Sequence, residues 1–556
     1  MRRNLLALGA TITMTALAIV ASAPPAHACG GFFCNRQAID QSGENILFVY
    51  NDDGTITTAI QIFYQGPSEE FAWILPVPAE PTVDVGTDAV FNALAGQTQP
   101  FFTTRGEVLG TCRSEPSCGG LWDDLDSAER GAPGAAADAG AAGPPMDPGV
   151  DVRLRANVGP YDVAVLASGS AEALREWLSD NGYEIPEASL AEIDHYVELD
   201  HFFVALKLQK DRDAGEIQPI VLTSANDEPC IPLRLTRIAA TPDMPVTAYF
   251  IGDTRVRPMN YMLVDPDFDE TGLWWGGLPY SEYITGVVDD AGGHAFVTDY
   301  AGDTPTIRIE VEAIEDLRAE TDPATFLMRL QERGFNGDSQ LLSILLRFLP
   351  PPESWDAQTF YNCLVQRWCT GDPEVDAHLA ELDFLPGALV DALEEGIVEP
   401  RAAAQEMVDS QPHLTRLFTT ISPDEMDEDP MFIPSTELPR EYDNRHEAVL
   451  RTHCGPEYFQ WTAPRDLVLP SGRVERVQEG VPYYGSDGEF CDDMRGGGFT
   501  PWADRETLRE VAARRNTRVG GGGLCTVSPG SAGGLGGAGV LLASLFAFAW
   551  RRRNGG

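Results

Sequence analysis

Glu44-Asn-Ile-Leu-Phe-Val-Tyr-Asn-Asp-Asp-Gly-Thr-Ile-Thr-Thr-Ala-Ile-Gln-Ile-Phe-Tyr64 decides the fold class. Ile46 to Tyr50 is apolar and rich in β-formers. Asn51-Asp52-Asp53-Gly54 is a turn signal, because these residues tolerate the positive φ of a tight hairpin. Thr55 to Tyr64 then alternates, with Ile56, Thr58, Ile60 and Ile62 on one face. Gln65-Gly66-Pro67 turns the chain again, and Phe71 to Val77 makes a third strand, ended by Pro76 and Pro78. Together the three read as an antiparallel meander.

Working outward, a helix is expected over 87–96, capped by Thr87 or Asp88. Residues 128–149 are a Gly/Ala/Pro run with almost no large apolar side chain. Such a run cannot bury a core and reads as a flexible insertion. Strands are expected at 161–167, 202–208, 217–222, 231–238 and 246–251. Between the first two of these, 170–181 reads as a helix with Ala171, Leu174, Trp177 and Leu178 on one side and Gly182 at its end. A sheet with a few packed helices makes 29–311 an antiparallel, β-rich α+β domain. From Asp322-Pro323, a cap followed by proline at the first helical position, the pattern turns helical. Phe326, Leu327, Leu330, Leu341, Leu342, Leu345 and Leu346 recur at helical spacing. A mainly helical region is expected over 312–420 and a Pro-rich, irregular extension over 421–519.

The chain has 556 residues, enough for about three domains. A hydrophobic fraction of 43% supports real cores, not a disordered chain. There are 39 basic and 85 acidic residues, for a net charge of −46. Such a surface repels nucleic acid and anionic lipid. It keeps an extracellular protein soluble or attracts cations. Lys207 and Lys210 are the lysines, so arginine carries nearly all the positive charge.

The two ends read as addresses. Residues 1–28 form a secretory signal: Arg2 and Arg3, an apolar stretch over 5–21, then Ala26-His27-Ala28 as the cleavage site. The mature chain then begins at Cys29. A cysteine there opens the alternative of lipidation, against which the polar His27 stands. At the other end, residues 533–550 carry no charge and reach roughly 27 Å as a helix, just enough for a bilayer core. Arg551, Arg552 and Arg553 follow, which places the body outside. Several glycines weaken this helix, as suits a segment that is later cut away. A plain C-terminal anchor is the other reading.

Export permits disulfides. Cys29 and Cys34, Cys112 and Cys118, and Cys363 and Cys369 each close a small loop, and Cys454 and Cys491 a longer one. Cys230 is left over once Cys525 is assigned to the tail. Connectivity is not readable from sequence. Zinc is disfavoured, because no C-x-x-C pair occurs.

Little in the sequence spells a reaction. Asp265, Asp267 and Asp269 resemble the start of a calcium loop, but Glu270 and Gly276 stand where an EF-hand needs Gly and Glu. An acidic surface turn is the plainer reading. Residues 424–429 form a second acidic cluster, read as a solvated loop. His446, His453 and Cys454 form the one local cluster with metal-ligand chemistry, without H-E-x-x-H spacing. Neither G-x-S-x-G nor a Walker loop is present. Trp274 and Trp275, near Tyr280 and Tyr283, suit a sugar or partner surface, although core packing is the commoner fate of such pairs.

Two resemblances add to this reading. The Gly-rich linker from Gly520, the lone Cys525, the short apolar segment and the terminal arginines resemble the MYXO-CTERM class of sorting signal. That resemblance implies transient anchoring in the inner membrane, cutting near Cys525 by an intramembrane sorting protease, and delivery to the cell surface. Cys29-Gly-Gly-Phe-Phe-Cys34, Phe71-Ala-Trp-Ile-Leu-Pro-Val-Pro-Ala79, the Trp177 to Pro186 stretch and Phe203-Val-Ala-Leu-Lys-Leu208 resemble the bacterial domain of unknown function 2330 (DUF2330) family. The likeness runs from Cys29 to about Asp265. Leu414-Thr-Arg-Leu-Phe418, Asp424-Glu-Met426 and Asp429-Pro430 are similar to runs in such proteins. The family implies an exported bacterial protein and brings no activity or site residues. The expectation is therefore a non-enzymatic surface protein with a binding or structural role. The alternatives are an extracellular hydrolase with a site assembled from distant residues, and a calcium-dependent adhesive module.

Overall fold

The structure is a computed structural model describing residues 40–65, 71–115, 150–183, 189–209, 217–225, 228–335, 337–369 and 371–484. The leader, Cys29, Cys34, Cys118, the 128–149 insertion, Cys491 and the sorting tail lie outside the described residues. No helix among the described residues is long and apolar enough to cross a membrane.

In chain order the first elements are strands β1 (Asp40–Tyr50), β2 (Ile56–Gln65), β3 (Ala72–Val77) and β4 (Thr82–Val85), then helix α1 (Asp88–Thr98) and β5 (Phe101–Leu109). After these come β6 (Asp151–Val158), β7 (Tyr161–Ala167), helices α2 (Ala171–Asp180) and α3 (Leu190–Glu198), then β8 (Phe202–Leu208) and β9 (Ile220–Ser224). The short helix α4 (Leu233–Thr236) leads to β10 (Met244–Gly252), β11 (Val256–Pro258) and β12 (Met262–Val264). Helices α5 (Thr271–Trp275) and α6 (Tyr280–Asp290) precede β13 (Ala295–Asp303). A run of helices from Pro323 to Asp409 separates β13 from β14 (His413–Ile421). The chain continues through β15 (Phe432–Pro434), β16 (Arg445–His453), β17 (Arg465–Val468) and β18 (Val474–Gln478).

The α+β class holds. The opening hairpin forms as expected: β1 and β2 pair antiparallel, and Gly54 takes φ +83° at the turn. The meander does not continue. The far edge of β2 is taken by β9, and β3 pairs with β8 in a second sheet. The eight-stranded sheet runs β12-β13-β14-β10-β1-β2-β9-β4, with β1 parallel to β10. The four-stranded sheet runs β3-β8-β7-β6. Pro76 lies on β3, an edge strand, where a missing N–H need not cost a ladder bond.

Period-two alternation sorts side chains between layers. Ile46, Phe48, Ile56, Ile60 and Ile62 of the large sheet meet Trp73, Leu75, Val77, Val163, Val165, Val204 and Leu206 of the small one. The intervening residues Leu47, Val49, Ala59, Tyr249 and Ile251 face α1 and the buried Ala404 and Val408 of the last helix. Ala72, Ile74, Ala164, Leu166 and Phe203 face Leu174, Trp177 and Leu178 of α2 and Ile193, Tyr196 and Val197 of α3. Asp322 caps its helix as predicted, Thr87 is the cap of the two candidates Thr87 and Asp88, and Ser170 caps the helix at 171–180; each side chain accepts a main-chain N–H. The helical insertion has its own core around Phe326, Leu330, Phe335, Phe360, Leu389 and Leu393, stapled by the predicted Cys363–Cys369 disulfide.

Four expectations are corrected. Residues 231–238 are not a strand; Pro232 opens the short helix α4. The helical region stops at Asp409, because 413–421 is the buried strand β14. The extension after 421 is not wholly irregular and supplies β15 to β18. Cys112 pairs with Cys454 across 342 residues, not with Cys118, so Cys454 is not joined to Cys491. The Cys454 N–H donates to the Leu109 carbonyl at 2.7 Å, which lays that segment beside the end of β5 and brings the two sulfurs together.

Two units carry the internal contacts. Among the described residues the larger comprises 40–105, 150–450 and 467–475, so a boundary at 311 does not delimit it. The smaller comprises 106–115, 451–466 and 476–484. Within the smaller unit, the Arg113 guanidinium lies 5.4 Å from the rings of both Phe459 and Tyr483.

Glu44 sits at a bulge in β1, 3% exposed, where its side chain accepts a long hydrogen bond from Gln41 at 3.3 Å. Burial pushes its carboxyl from the ordinary 4.5 up to about 7, against a small opposing effect of Gln41. In that window the folded chain holds a proton that the unfolded chain has lost, so stability falls as pH rises through it. Glu44→Gln should flatten this dependence and stabilise the protein above the window by about 3 kcal/mol. Urea denaturation of both forms at about pH 5 and about pH 8 checks it. Equal pH slopes would remove Glu44 as the cause.

Candidate functional site

A cavity of about 440 Å³ opens where the two sheets of the larger unit part. Its walls are apolar: Phe48, Ile56 and Ile60 from the first hairpin, Leu75 and Val77 from β3, and Leu222 from β9. Besides Thr58, Ser224 and Asn260, its polar residues come from three separate segments. One is the end of α3 with the turn after it, carrying His195, Tyr196 and His201; the second is 228–234, and the third 428–431.

Each segment is held by identifiable bonds. Helix α3 stops at Leu199, and Asp200 takes φ +57°, a conformation that Asp tolerates better than most residues. The His201 N–H then returns to the Tyr196 carbonyl at 3.0 Å, which sets the two rings 5.5 Å apart. Residues 229–232 and 430–432 pair across a bridge between Cys230 and Met431. The Ile231 N–H donates to the Pro430 carbonyl at 3.2 Å, and the Phe432 N–H to Pro229 at 3.0 Å. Asn260 locks the third segment. Its amide donates to the Glu428 carboxylate at 3.0 Å and to the Asp429 carbonyl at 2.8 Å, while its oxygen accepts the Met431 N–H at 2.8 Å.

Asp429 joins all three segments. Its carboxylate accepts from the Tyr196 hydroxyl at 2.7 Å and from the Arg234 main-chain N–H at 2.9 Å. Burial holds its carboxyl above the usual range, although both hydrogen bonds and the Arg234 charge oppose this. Burial, helped by Asp429, also holds the Cys230 thiol well above the ordinary thiol range. A thiol kept protonated is a poor nucleophile and metal ligand. The Arg234 guanidinium turns away to Glu192, at 3.0 Å from Nε and 2.9 Å from Nη2, and to the Asp427 carbonyl. Among the described residues, histidine hydrogen bonds go to main-chain carbonyls or carboxylates: His201 to Leu199, His378 to Pro350, His413 to Arg440, His294 to Asp427, and His453 to Asp466.

The sequence-level candidates lie elsewhere. Asp265, Asp267 and Asp269 are divided among different partners. Asp265 accepts from Tyr442, Asp267 from Tyr283 and the Asp269 N–H, and Asp269 from Ser471, beside Arg473. No group of three or more metal-ligating side chains converges among the described residues. His446 packs against the rings of Phe102 and Phe268, which also touch each other, and burial lowers its pKa. Cys454 is in a disulfide, so it offers no thiolate. Trp274 is buried, its indole N–H donating to the Phe268 carbonyl, whereas Trp275 is about half exposed. The 424–429 run is not simply a solvated loop, because Met426 is fully buried and Asp429 is bonded inside the protein. Cys230, left over in the cysteine count, and Asp429, in the acidic run, are polar residues by which sequence touched this site; among the described residues Cys230 is the free cysteine, and it lies on the cavity wall.

Tyr196→Phe removes one of the two donors from a buried carboxylate. It should lower stability by about 1–3 kcal/mol. Urea denaturation reads this directly, and an unchanged midpoint would mean that Tyr196 does not support Asp429.

No curated protein and no solved structure matches the chain. A profile of a family described as an uncharacterized protein conserved in bacteria (DUF2330) matches residues 23–340. The match reaches well past Asp265 and stops short of the Leu414 and Asp429 runs that supply β14 and the third cavity segment. It spans more than half of the 556 residues, and the chain belongs to the DUF2330 family.

Proposed function

We propose that this chain is an exported bacterial surface protein with a non-enzymatic binding role, and that its cavity holds a small, mainly apolar molecule. The observation that carries the reading is the cavity itself. Its volume of about 440 Å³ lies in the usual range for small-molecule sites, roughly 300–1,000 Å³. An apolar wall facing a few convergent polar groups is the common arrangement of such sites. The raised thiol of Cys230, and the bond of the His201 ring to the Leu199 carbonyl, weigh against nucleophilic catalysis there.

The uncharged apolar fluorophore N-phenyl-1-naphthylamine should bind saturably with a rise in emission. Thr58→Trp and Ser224→Trp each place an indole into the cavity from half-buried wall positions. Both should abolish the signal while circular dichroism stays unchanged. Undiminished binding by a folded variant would place the probe elsewhere and overturn the reading.

The address belongs to the same proposal. The leader is removed after Ala28, the apolar segment at 533–550 holds the chain in the inner membrane, and Arg551, Arg552 and Arg553 stay in the cytoplasm. A sorting protease then cuts near Cys525, as the MYXO-CTERM resemblance implies, and the product reaches the outer surface. Cys525→Ala should leave a full-length species in the inner membrane. Mass spectrometry of surface protein that still carries Trp550 would show an ordinary anchor instead.

A further inference from the structure

We infer that the cavity takes a cationic amphiphile, its hydrocarbon body against the sheet walls and a protonated amine at the Glu428–Asp429 side. This rests on the reading of the cavity as a binding site and adds the chemistry of its occupant. The strands contribute mostly hydrocarbon, apart from Thr58 and Ser224, and the charged lining residues come from the other segments. Phe48, Ile56, Ile60, Leu75, Val77 and Leu222 supply hydrocarbon on one side, and the 428–431 segment supplies charge on the other.

That charge is negative. The lining carboxylates are Glu228, Glu428 and Asp429, and Arg234 is the lining arginine. The Arg234 guanidinium is already engaged by Glu192, a residue outside the lining that also meets Arg237 at 3.4 Å. The direct hydrogen-bond donors to Glu428 and Asp429 are neutral: the Asn260 amide, the Tyr196 hydroxyl and a main-chain N–H. An occupant that displaces water from this side must therefore offset the charge of Glu428 and Asp429, because their hydrogen-bond donors are neutral and taking a charge out of water is costly. An ammonium head does so. An alcohol gives a hydrogen bond without charge, and a carboxylate adds repulsion in a chain of net charge −46. The Tyr196 ring also lines this side, with His195 5.4 Å from it, and an aromatic face beside carboxylates favours a cation further.

Displacement of N-phenyl-1-naphthylamine by n-octylamine, n-octanol and n-octanoate tests this on the mature chain. These three share a body and differ in head group. Octylamine should displace the probe at a concentration about tenfold below octanol, with octanoate weakest, since one charge-assisted bond is worth roughly that factor. Glu428→Gln removes one charge but keeps an oxygen that can accept from Asn260. It should shrink the amine preference while leaving octanol unchanged. Octanoate strongest, three equal affinities, or a preference untouched by both Glu428→Gln and Glu228→Gln would overturn the charge inference and leave the cavity reading standing. A probe that never binds would overturn both.

Discussion

The fold depends on one strand, β14, slotted between β10 and β13. It pairs with β10 residue for residue, from Met244 opposite Ile421 to Gly252 opposite His413, and all nine of its residues are buried. Without it the large sheet would end in two pieces, with β12 and β13 detached. The strand also carries a buried charge. Arg416 lies 3.0 Å from Asp299 of β13, whose other oxygen accepts from the Tyr280 hydroxyl of α6. Burial pushes the Asp299 carboxyl up to about 6 even with the arginine beside it, so desolvation outweighs the Coulombic gain. Such a pair adds little net stability, but removing either member costs about 3–5 kcal/mol. Its effect is to make one register of β14 far cheaper than a slip that would bury Arg416 alone.

That strand also returns late in the chain. The sheet opens near Asp40 and is completed only past residue 413, after the whole helical insertion. The insertion has its own core and its short-range disulfide, and β14 follows it back into the sheet. The residues immediately after β14 then reach the cavity, where Asp429 meets Tyr196 and Arg234. The family match ends at 340, yet the middle of the sheet and one side of the cavity come from beyond it.

Local rules were legible where they are local. The 44–64 hairpin, the caps at Thr87 and Asp322, and the Cys363–Cys369 loop all follow from residues within a few positions of one another. Pairing choices were not. Nothing in Phe71 to Val77 says that the edge of β2 is taken by β9, because the competing strand lies some 150 residues on. β14 was hidden by being buried on both faces. It lacks the polar alternation that marks a half-exposed strand, and its Arg416 and His413 look like surface residues until Asp299 and the Arg440 carbonyl are beside them. The cavity was illegible for the same reason, since most of its polar residues come from three segments with no common motif.

Why a cavity should persist there follows from side-chain size. Packed sheets stand about 10 Å apart, and large side chains are needed to fill that space. Beside β1, β10 and β13 large rings cover the sheet: Phe48, Phe250 and Phe296 pack with Phe432 of β15, centroids 4.8–6.3 Å apart. Around β2 and the end of β3 the facing residues are Ile56, Thr58, Ile60, Pro76, Val77 and Pro78, which are shorter. The sheets cannot close over the gap, because their spacing is held where Trp73, Val163, Val165, Val204 and Leu206 of the small sheet share a core with Ile46, Phe48 and Ile62 of the large one. Nor can the 428–431 segment fall in, since Asn260 holds its main chain at both ends and the Tyr261 hydroxyl donates to the Glu428 carbonyl at 2.7 Å. A rigid frame and undersized wall residues together leave a space that neither partner sheet can remove, with its one charged side pinned in place.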